Sequence, residues 1–170
     1  MTSTWESNIR IIVRSLYPQF EPSESDEIKR MLDIAEVFPS DLVFDIGCGK
    51  GDVLAEAVSR GARAIGVDHS SLRVGKSRDR LKGTDVAQVV YGDIFEERFW
   101  YHKGSRKPYV LHNADVVTMF LNPYMNSRLR SLLEEELSGT RVVSNYWPIE
   151  GWNPVKVGNV GRGQVFLYSR

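Results

Sequence analysis

Short apolar runs alternate along this chain with segments whose apolar residues recur at helical spacing. The runs lie at residues 42–46, 62–67, 86–91, 114–121 and 140–147, and each predicts a buried strand. Helical spacing is found at residues 51–60, 71–82 and 125–138. Because strands and helices alternate, the pattern predicts an open, mostly parallel sheet with helices on both faces.

Two parts of the chain depart from this alternation. Residues 155–160 and 164–168 flank a Gly-Arg-Gly turn and predict a closing hairpin. Residues 96–113 mix aromatic and basic residues and are predicted to form a surface helix and loop. The predicted fold class is α/β: a Rossmann-like, doubly wound, mostly parallel seven-stranded sheet with a C-terminal antiparallel hairpin and N-terminal helices.

The N-terminal region is predicted to contain two helices and a strap. Helical spacing covers residues 4–16 and 24–37, and residues 17–23 carry two prolines and two aromatics that interrupt it. We expect residues 1–38 to cover the site, within a single domain of residues 1–170.

The composition is that of an ordinary globular protein, with 42% apolar and 26% charged residues. Lys plus Arg and Asp plus Glu are equal at 22 each, so no global basic field favours nucleic acid. Cys48 is the only cysteine, which excludes an intramolecular disulfide and a cysteine-rich metal site. We expect no metal and no membrane span, and a cytoplasmic location.

The strongest chemical signal is LVFDIGCGKG at residues 42–51. Its glycines allow positive φ and leave no Cβ in the way of a ligand, while the next helix points free N–H groups at the turn. Asp52 stands where a dinucleotide fingerprint has its third glycine, and Lys50 is not followed by the Ser or Thr of a Walker A motif. The acid Asp45 repels phosphate and suits a cation. The pattern points to S-adenosylmethionine (SAM), which carries an amino group and a sulfonium and no phosphate.

Polar side chains also follow the other predicted strands. Asp68 is placed to accept both ribose hydroxyls of an adenosine. Asp93 is placed to accept a bond from the adenine amino group, with Ile94 and Phe95 flanking the ring. Asn122 follows the fourth strand. Because ligands bind open parallel sheets outside the carboxyl ends of strands, these residues predict one site at that edge.

The segment from Asp45 to Gly51 resembles motif I of the class I, seven-strand SAM-dependent methyltransferases. Two more pieces narrow the resemblance: Phe-Glu-Pro-Ser at residues 20–23, and the tail that runs from Leu-Glu-Glu-Glu-Leu at 133–137 to Gly-Trp-Asn-Pro at 151–154. With them the chain from Phe20 onward resembles the archaeal broad-specificity protein lysine methyltransferases and their relatives among mitochondrial lysine methyltransferases.

This resemblance implies SAM as cofactor and methyl transfer to the ε-amino group of lysine in proteins. The implied partners are protein substrates with accessible lysines, with no requirement for nucleic acid or membrane, and the chain is expected to be a monomer. The cofactor-binding residues are expected to be Phe20, Pro22, Ser23, Asp45, Gly47, Cys48, Gly49, Gly51, Asp68, His69, Asp93, Ile94 and Leu121. Asn122 and Tyr124 are expected to position the acceptor lysine, in a channel formed with Tyr17, Phe20, Tyr146 and Trp147.

Two departures from that family keep other functions open. Residues 1–19 are longer than expected, and Asn122-Pro123-Tyr124 is one residue short of the Asn-Pro-Pro-Tyr/Phe motif of enzymes that methylate planar amines. The alternatives are a nucleic-acid amino-group methyltransferase, a small-molecule methyltransferase, and a SAM-binding module without activity.

Overall fold

A computed structural model describes residues 25–95, 99–101, 108–161 and 163–170. The predicted helix over residues 4–16 and the predicted strap at residues 17–23 lie outside these ranges.

Helices and strands alternate as the apolar pattern predicts. The helices are α1 Ser25–Ile34, α2 Asp52–Ser59, α3 Ser71–Arg80 and α4 Pro123–Glu136, with a short 3-10 helix at Leu111–Asn113. The strands are β1 Leu42–Ile46, β2 Arg63–Asp68, β3 Ala87–Tyr91, β4 Phe99–Tyr101, β5 Pro108–Val110, β6 Val116–Met119, β7 Arg141–Asn145, β8 Lys156–Val160 and β9 Gly163–Ser169.

Seven of these strands form one mixed sheet in the order β3-β2-β1-β6-β7-β9-β8. Strands β3, β2, β1, β6 and β7 are parallel to one another, and β9 pairs antiparallel with both β7 and β8. The predicted fold class is therefore confirmed. Strands β1, β2 and β3 are added toward one side of the sheet, and β6 and β7 toward the other. The boundary between β1 and β6 is therefore the switch point where open α/β sheets bind ligands.

The two faces of the sheet carry separate apolar cores. Residues Val43 of β1 and Leu54 of α2 belong to the core that also holds α1 and α3. Phe44 of β1 and Leu133 of α4 belong to the core on the opposite face. All five residues of β1 are buried, because consecutive side chains point to opposite faces and both faces are covered. Asp45 is the only charged residue of β1.

The prediction of a surface helix and loop over residues 96–113 is wrong. Within the part of this segment that the structure describes, β4 and β5 form a separate antiparallel pair, and the 3-10 helix follows. The sequence Phe99-Trp100-Tyr101 and the pair Tyr109-Val110 consist of aromatic and β-branched residues, which favour strands. The basic residues between these runs concealed their strand character.

Helix α1 ends at Ile34, before the predicted boundary at residue 37. Glu36 takes a left-handed conformation with φ 52, and its N–H donates to the Asp33 carbonyl. The N–H of Val37 donates to the Leu32 carbonyl at 3.1 Å. These bonds satisfy the last helical carbonyls in a Schellman arrangement, and here Glu occupies the position that usually holds Gly.

Two glycines offer a matched test of the packing next to the site. A Cβ added to Gly66 of β2 would lie 2.6 Å from the Cys48 Cβ and 2.6 Å from Leu54, whereas a Cβ added to Gly75 of α3 would meet nothing within 4 Å. We expect Gly66→Ala to destabilise the protein by about 1–3 kcal/mol through overpacking. Gly75→Ala should stabilise it by about 0.5–1 kcal/mol. Urea unfolding checks both, and equal midpoints for the two variants would contradict this description.

Candidate active site

A tight glycine turn joins β1 to α2 at the carboxyl edge of the sheet. The N–H groups of Gly47 and Cys48 both donate to the Val67 carbonyl, at 2.9 and 3.0 Å, so the turn is fixed to the end of β2. Gly47 has φ 80, and a Cβ there would lie 3.1 Å from the Leu121 side chain. The turn therefore requires glycine both for its backbone conformation and for the close approach of Leu121.

Asp45 lies beside this turn as a buried carboxyl group. The Thr118 hydroxyl of β6 donates to its Oδ1 at 2.7 Å. The pKa of Asp45 is raised to about 7, chiefly by burial; the Thr118 bond lowers it in part, and the charges of Asp68 and Asp52 contribute smaller increases. A cationic ligand beside this carboxyl would favour its ionised form, because an opposite charge lowers the pKa of an acid.

Asp68 ends β2 and is also buried. Its Oδ2 accepts the N–H of Gly49 at 3.0 Å, and its Oδ1 accepts the N–H of Ser70 at 2.8 Å. The Arg73 guanidinium of α3 donates to both oxygens, at 2.9–3.1 Å. The carboxylate therefore connects the glycine turn to α3, and Arg73 bonds the same oxygens that are predicted to accept the ribose hydroxyls.

The predicted adenine region lies at the end of β3. Asp93 is exposed, and its Oδ1 accepts the N–H of Phe95 at 2.9 Å, while Ile94 is buried in the core. The Arg128 guanidinium of α4 lies 4.1 Å from the centre of the Phe95 ring and 5.9 Å from that of Tyr124. This layered contact connects the β3 end of the site to the start of α4.

The residues predicted to position the acceptor follow the carboxyl ends of β6 and β7. The Asn122 side-chain oxygen caps α4 by accepting the N–H of Met125 at 2.8 Å. Tyr124 and Trp147 are each 45% exposed. Tyr146 has φ 64, and its ring stacks on Phe120 with centroids 5.2 Å apart.

The structure thus brings most of the predicted residues to one edge. Gly49 donates to Asp68, Gly47 closely approaches Leu121, and Asp45 lies one residue before the end of β1, which leads into the glycine turn. His69 is exposed, with its Nδ1 4.0 Å from Asp68. Gly51 instead packs against Ser77 of α3, since a Cβ there would lie 2.2 Å from its hydroxyl. The predicted residues Tyr17, Phe20, Pro22 and Ser23 lie outside the described residues.

The Cys48 side chain points into the core. It belongs to the apolar cluster with Leu54, and burial raises the pKa of its thiol. Only its backbone takes part in the turn, where its carbonyl accepts the N–H of Gly51 at 2.8 Å.

Three further residues of this edge were not predicted from the sequence: Thr118, Arg73 and Asn145. Thr118 and Asn145 belong to otherwise mostly apolar strands, in which a single polar residue is common and does not by itself indicate a site. Arg73 is one of several cations on α3, and nothing in the sequence distinguishes it from the others.

A family model described as the ANTKMT methyltransferase domain matches residues 45–156, from the acid of the glycine turn to the start of β8. The chain belongs to this methyltransferase family. The match includes Asp45, Asp68 and Asp93, and also the carboxyl ends of β6 and β7.

Relatives and solved structures agree with this membership. A protein-lysine N-methyltransferase of Saccharolobus islandicus is 35% identical over 88% of this chain and 91% of its own length. The adenine nucleotide translocase lysine N-methyltransferase of Mus musculus is 28% identical over 84% of this chain but 59% of its own length. An RNA methyltransferase from Salinibacter ruber, solved with S-adenosyl-L-homocysteine, has a TM-score of 0.78 and 30% identity over 88% of this chain and 93% of that one.

These comparisons make the chain a class I, SAM-dependent N-methyltransferase, and SAM is its cofactor. The residues present fit this cofactor. A buried acid with a raised pKa can ionise beside the positive charge of the cofactor, and the glycine turn lets the cofactor approach the protein backbone closely. Asp45 and the turn would hold the methionine end, and Asp68 would hold the ribose.

Two other findings concern only the residues that the structure describes. No helix among them is long and apolar enough to cross a membrane. No group of three or more His, Cys, Asp or Glu side chains among them is arranged to hold a metal ion.

The Arg73–Asp68 ion pair gives a testable consequence for this methyltransferase. We propose that Asp68 binds the ribose hydroxyls, which would then compete with Arg73 for a carboxylate that the N–H groups of Gly49 and Ser70 also hold. We expect Arg73→Ala to tighten SAM binding by about threefold to tenfold, measured by calorimetry. Lys76→Ala, an exposed cation on the same helix, should leave the affinity unchanged. Weaker binding by the Arg73 variant would instead make Arg73 a support for the ribose site.

Proposed function

We propose that this chain transfers the methyl group of SAM to the ε-amino group of lysine residues in proteins. The observation that carries the proposal is the relation to the Saccharolobus protein-lysine N-methyltransferase, whose length the chain almost matches. The lysine methyltransferase from mouse supports the same acceptor.

The aromatic residues at the ends of β6 and β7 support a lysine acceptor. Phe120 and Tyr146 form a stacked pair at the ends of β6 and β7, and Tyr124 and Trp147 are partly exposed at the same edge. An amine that enters between aromatic rings loses water, and this loss lowers its pKa because burial disfavours the charged form. Such a channel delivers the neutral amine that methyl transfer needs.

When bound, SAM supplies an electrophilic methyl group, and transfer moves its positive charge from sulfur to the acceptor nitrogen. The chain contributes by holding the reactants in line, at roughly 3–3.5 Å between nitrogen and methyl carbon. The Asp45 carboxylate balances the positive charge of the cofactor at the carboxyl end of β1. We propose that Asn122 and Tyr124 line the path of the lysine where α4 begins.

Residues 1–38 are proposed to cover this edge. Helix α1 packs against α2 and against β7, β8 and β9, and the Tyr146 hydroxyl donates to Glu27 of α1 at 2.8 Å. The first turn of α1 therefore lies close to Tyr146 of the aromatic pair. A monomeric state and a cytoplasmic location also remain parts of the proposal.

Methylation of nucleic acid is the second candidate function. The Salinibacter ruber protein that shares this fold carries the name RNA methyltransferase, and every proposed SAM residue would serve that reaction equally. The equal numbers of acidic and basic residues, 22 of each, count against a nucleic-acid acceptor because they provide no global positive field.

Label transfer from tritiated SAM distinguishes the two. The protein is incubated with heat-treated cell lysate, and the protein and RNA fractions are counted separately. We expect label in protein, and mass spectrometry should locate it on lysine. Label confined to RNA would overturn the proposal, and Asp45→Asn serves as the inactive control in both fractions.

A further inference from the structure

Asn145 is the last residue of β7, and its side chain is buried but has no role in the site described above. It has no exposed surface, and neither its Nδ2 nor its Oδ1 has a hydrogen-bond partner among the residues that the structure describes. Buried amides are nearly always hydrogen-bonded, so an unpartnered one needs an explanation such as a ligand.

The strand register places Asn145 on the same face of the sheet as Asp45. Asp45 lies opposite Thr118 of β6, and Thr118 lies opposite Val143 of β7, so these three side chains point the same way. Asn145 comes two residues after Val143 and shares that face. It is therefore about 4.8 Å sideways from β6 and about 6.6 Å nearer the edge than Thr118.

Two aromatic residues neighbour Asn145, one across the sheet and one along the chain. Phe120 follows β6 beside it, and Tyr146 follows it directly in the chain, with the two rings stacked. The left-handed backbone of Tyr146 turns its ring over Gly163, where a Cβ would lie 2.7 Å from the ring. The Tyr146 hydroxyl bond to Glu27 fixes the ring from the other side. A polar amide beside an aromatic pair is the environment that a lysine side chain requires, since its stem is apolar and its tip is polar.

The amide of Asn122, which is also at this edge, is used by the fold. The Asn122 oxygen accepts the N–H of Met125 and caps α4, so binding an amine there would compete with the cap. Asn145 needs no such exchange.

We propose that Asn145 binds the acceptor amine, its Oδ1 accepting one N–H so that the nitrogen lone pair points toward Asp45 and the glycine turn. This assignment rests on the proposed function for the identity of the amine. The lone pair forms the new nitrogen–carbon bond as the carbon–sulfur bond breaks, and the sulfur keeps the electron pair. The products are a methylated ammonium and S-adenosylhomocysteine.

The test compares Asn145→Leu with wild type in three measurements. Leu has nearly the shape of Asn but no polar atom, and removing an unpartnered buried amide should leave the thermal midpoint of the ligand-free protein equal or higher. The SAM dissociation constant from calorimetry should stay within about twofold. Turnover under saturating SAM should fall by about 30-fold, the loss expected for one unmade hydrogen bond to a buried amine.

Two other variants sharpen the test. Asn145→Asp restores an acceptor oxygen, so it should recover part of the turnover. Its pH profile should shift to higher pH because the added negative charge raises the pKa of the amine. Asn159→Leu, an exposed Asn of β8, should behave as wild type in every measurement.

The acceptor is whichever fraction the wild-type enzyme labels in heat-treated lysate, so the two proposals fail separately. Label in RNA alone would overturn the lysine acceptor, and the same RNA then serves for the Asn145 comparison. Full turnover by Asn145→Leu would overturn the role of Asn145. Loss of SAM affinity in step with turnover would also overturn it, because the residue would then bind the cofactor.

Discussion

Replacing Asp45 with Asn is expected to weaken SAM binding at pH 8 by about 100-fold. At that pH most of the Asp45 carboxyl groups are ionised, since the pKa is about 7, and the cofactor loses its buried counter-charge in the variant. The Thr118 hydroxyl still bonds the amide oxygen, so the fold of the turn is kept. Titration calorimetry gives the affinity. Asp33→Asn, in an exposed ion pair with Arg60, is the control and should bind SAM normally.

An affinity of Asp45→Asn within about threefold of wild type would contradict this account, because an unscreened charge pair at a buried site is worth more than that. The cofactor would then lie elsewhere on the edge, and the raised pKa of Asp45 would need another explanation.

The second large effect concerns stability rather than binding. The pKa of Asp45 is about 7 in the folded protein and near 3.8 when the chain is unfolded. The folded state therefore keeps a proton that the unfolded state loses, and this contribution to stability is complete below pH 4 and is lost as the pH rises to about 7. The total is about 4 kcal/mol.

Asp45→Asn removes this dependence because the amide does not titrate. Relative to wild type, we expect the variant to gain about 3 kcal/mol of stability between pH 4.5 and pH 8. Measuring the difference between the two proteins cancels the other carboxyl groups. Parallel stability curves from pH 4.5 to 8 would show that Asp45 titrates normally.

The sheet could be predicted from the sequence because its central strands are buried on both faces. Residues 42–46 form a continuous apolar run that ends in glycines, and the structure has β1 at those residues. The pair β4 and β5 was missed because each strand is three residues long, and helix and strand patterns cannot be separated over so few positions.

The tail that gave the resemblance its specificity proves to be structural. Trp152 is buried, its ring meets Tyr168 edge to face at 5.5 Å, and its Nε1 donates to Glu134 at 2.8 Å. This contact joins α4 to β9 on the core face opposite α1. A family signature can therefore mark a packing requirement rather than a catalytic one.

The candidate site was predictable only in part, because strand ends can be located in a sequence but neighbours across strands cannot. The positions of Asp45, Asp68 and Asp93 follow from the strand pattern alone. The Arg73 contact to Asp68 depends on how α3 turns over the sheet, and the placement of Asn145 depends on the register of β6 against β7. The local periodicity of the sequence determines neither the orientation of a helix on the sheet nor the register between two strands.

Proton release on SAM binding is the most direct test of the claim that Asp45 faces the cofactor. With a pKa of about 7, Asp45 is about three-quarters protonated at pH 6.5, and it must ionise when the cation binds. Calorimetry in two buffers of different ionisation enthalpy should therefore give release of nearly that fraction of a proton per SAM, absent in Asp45→Asn. Equal heats in both buffers for the wild-type protein would contradict the account.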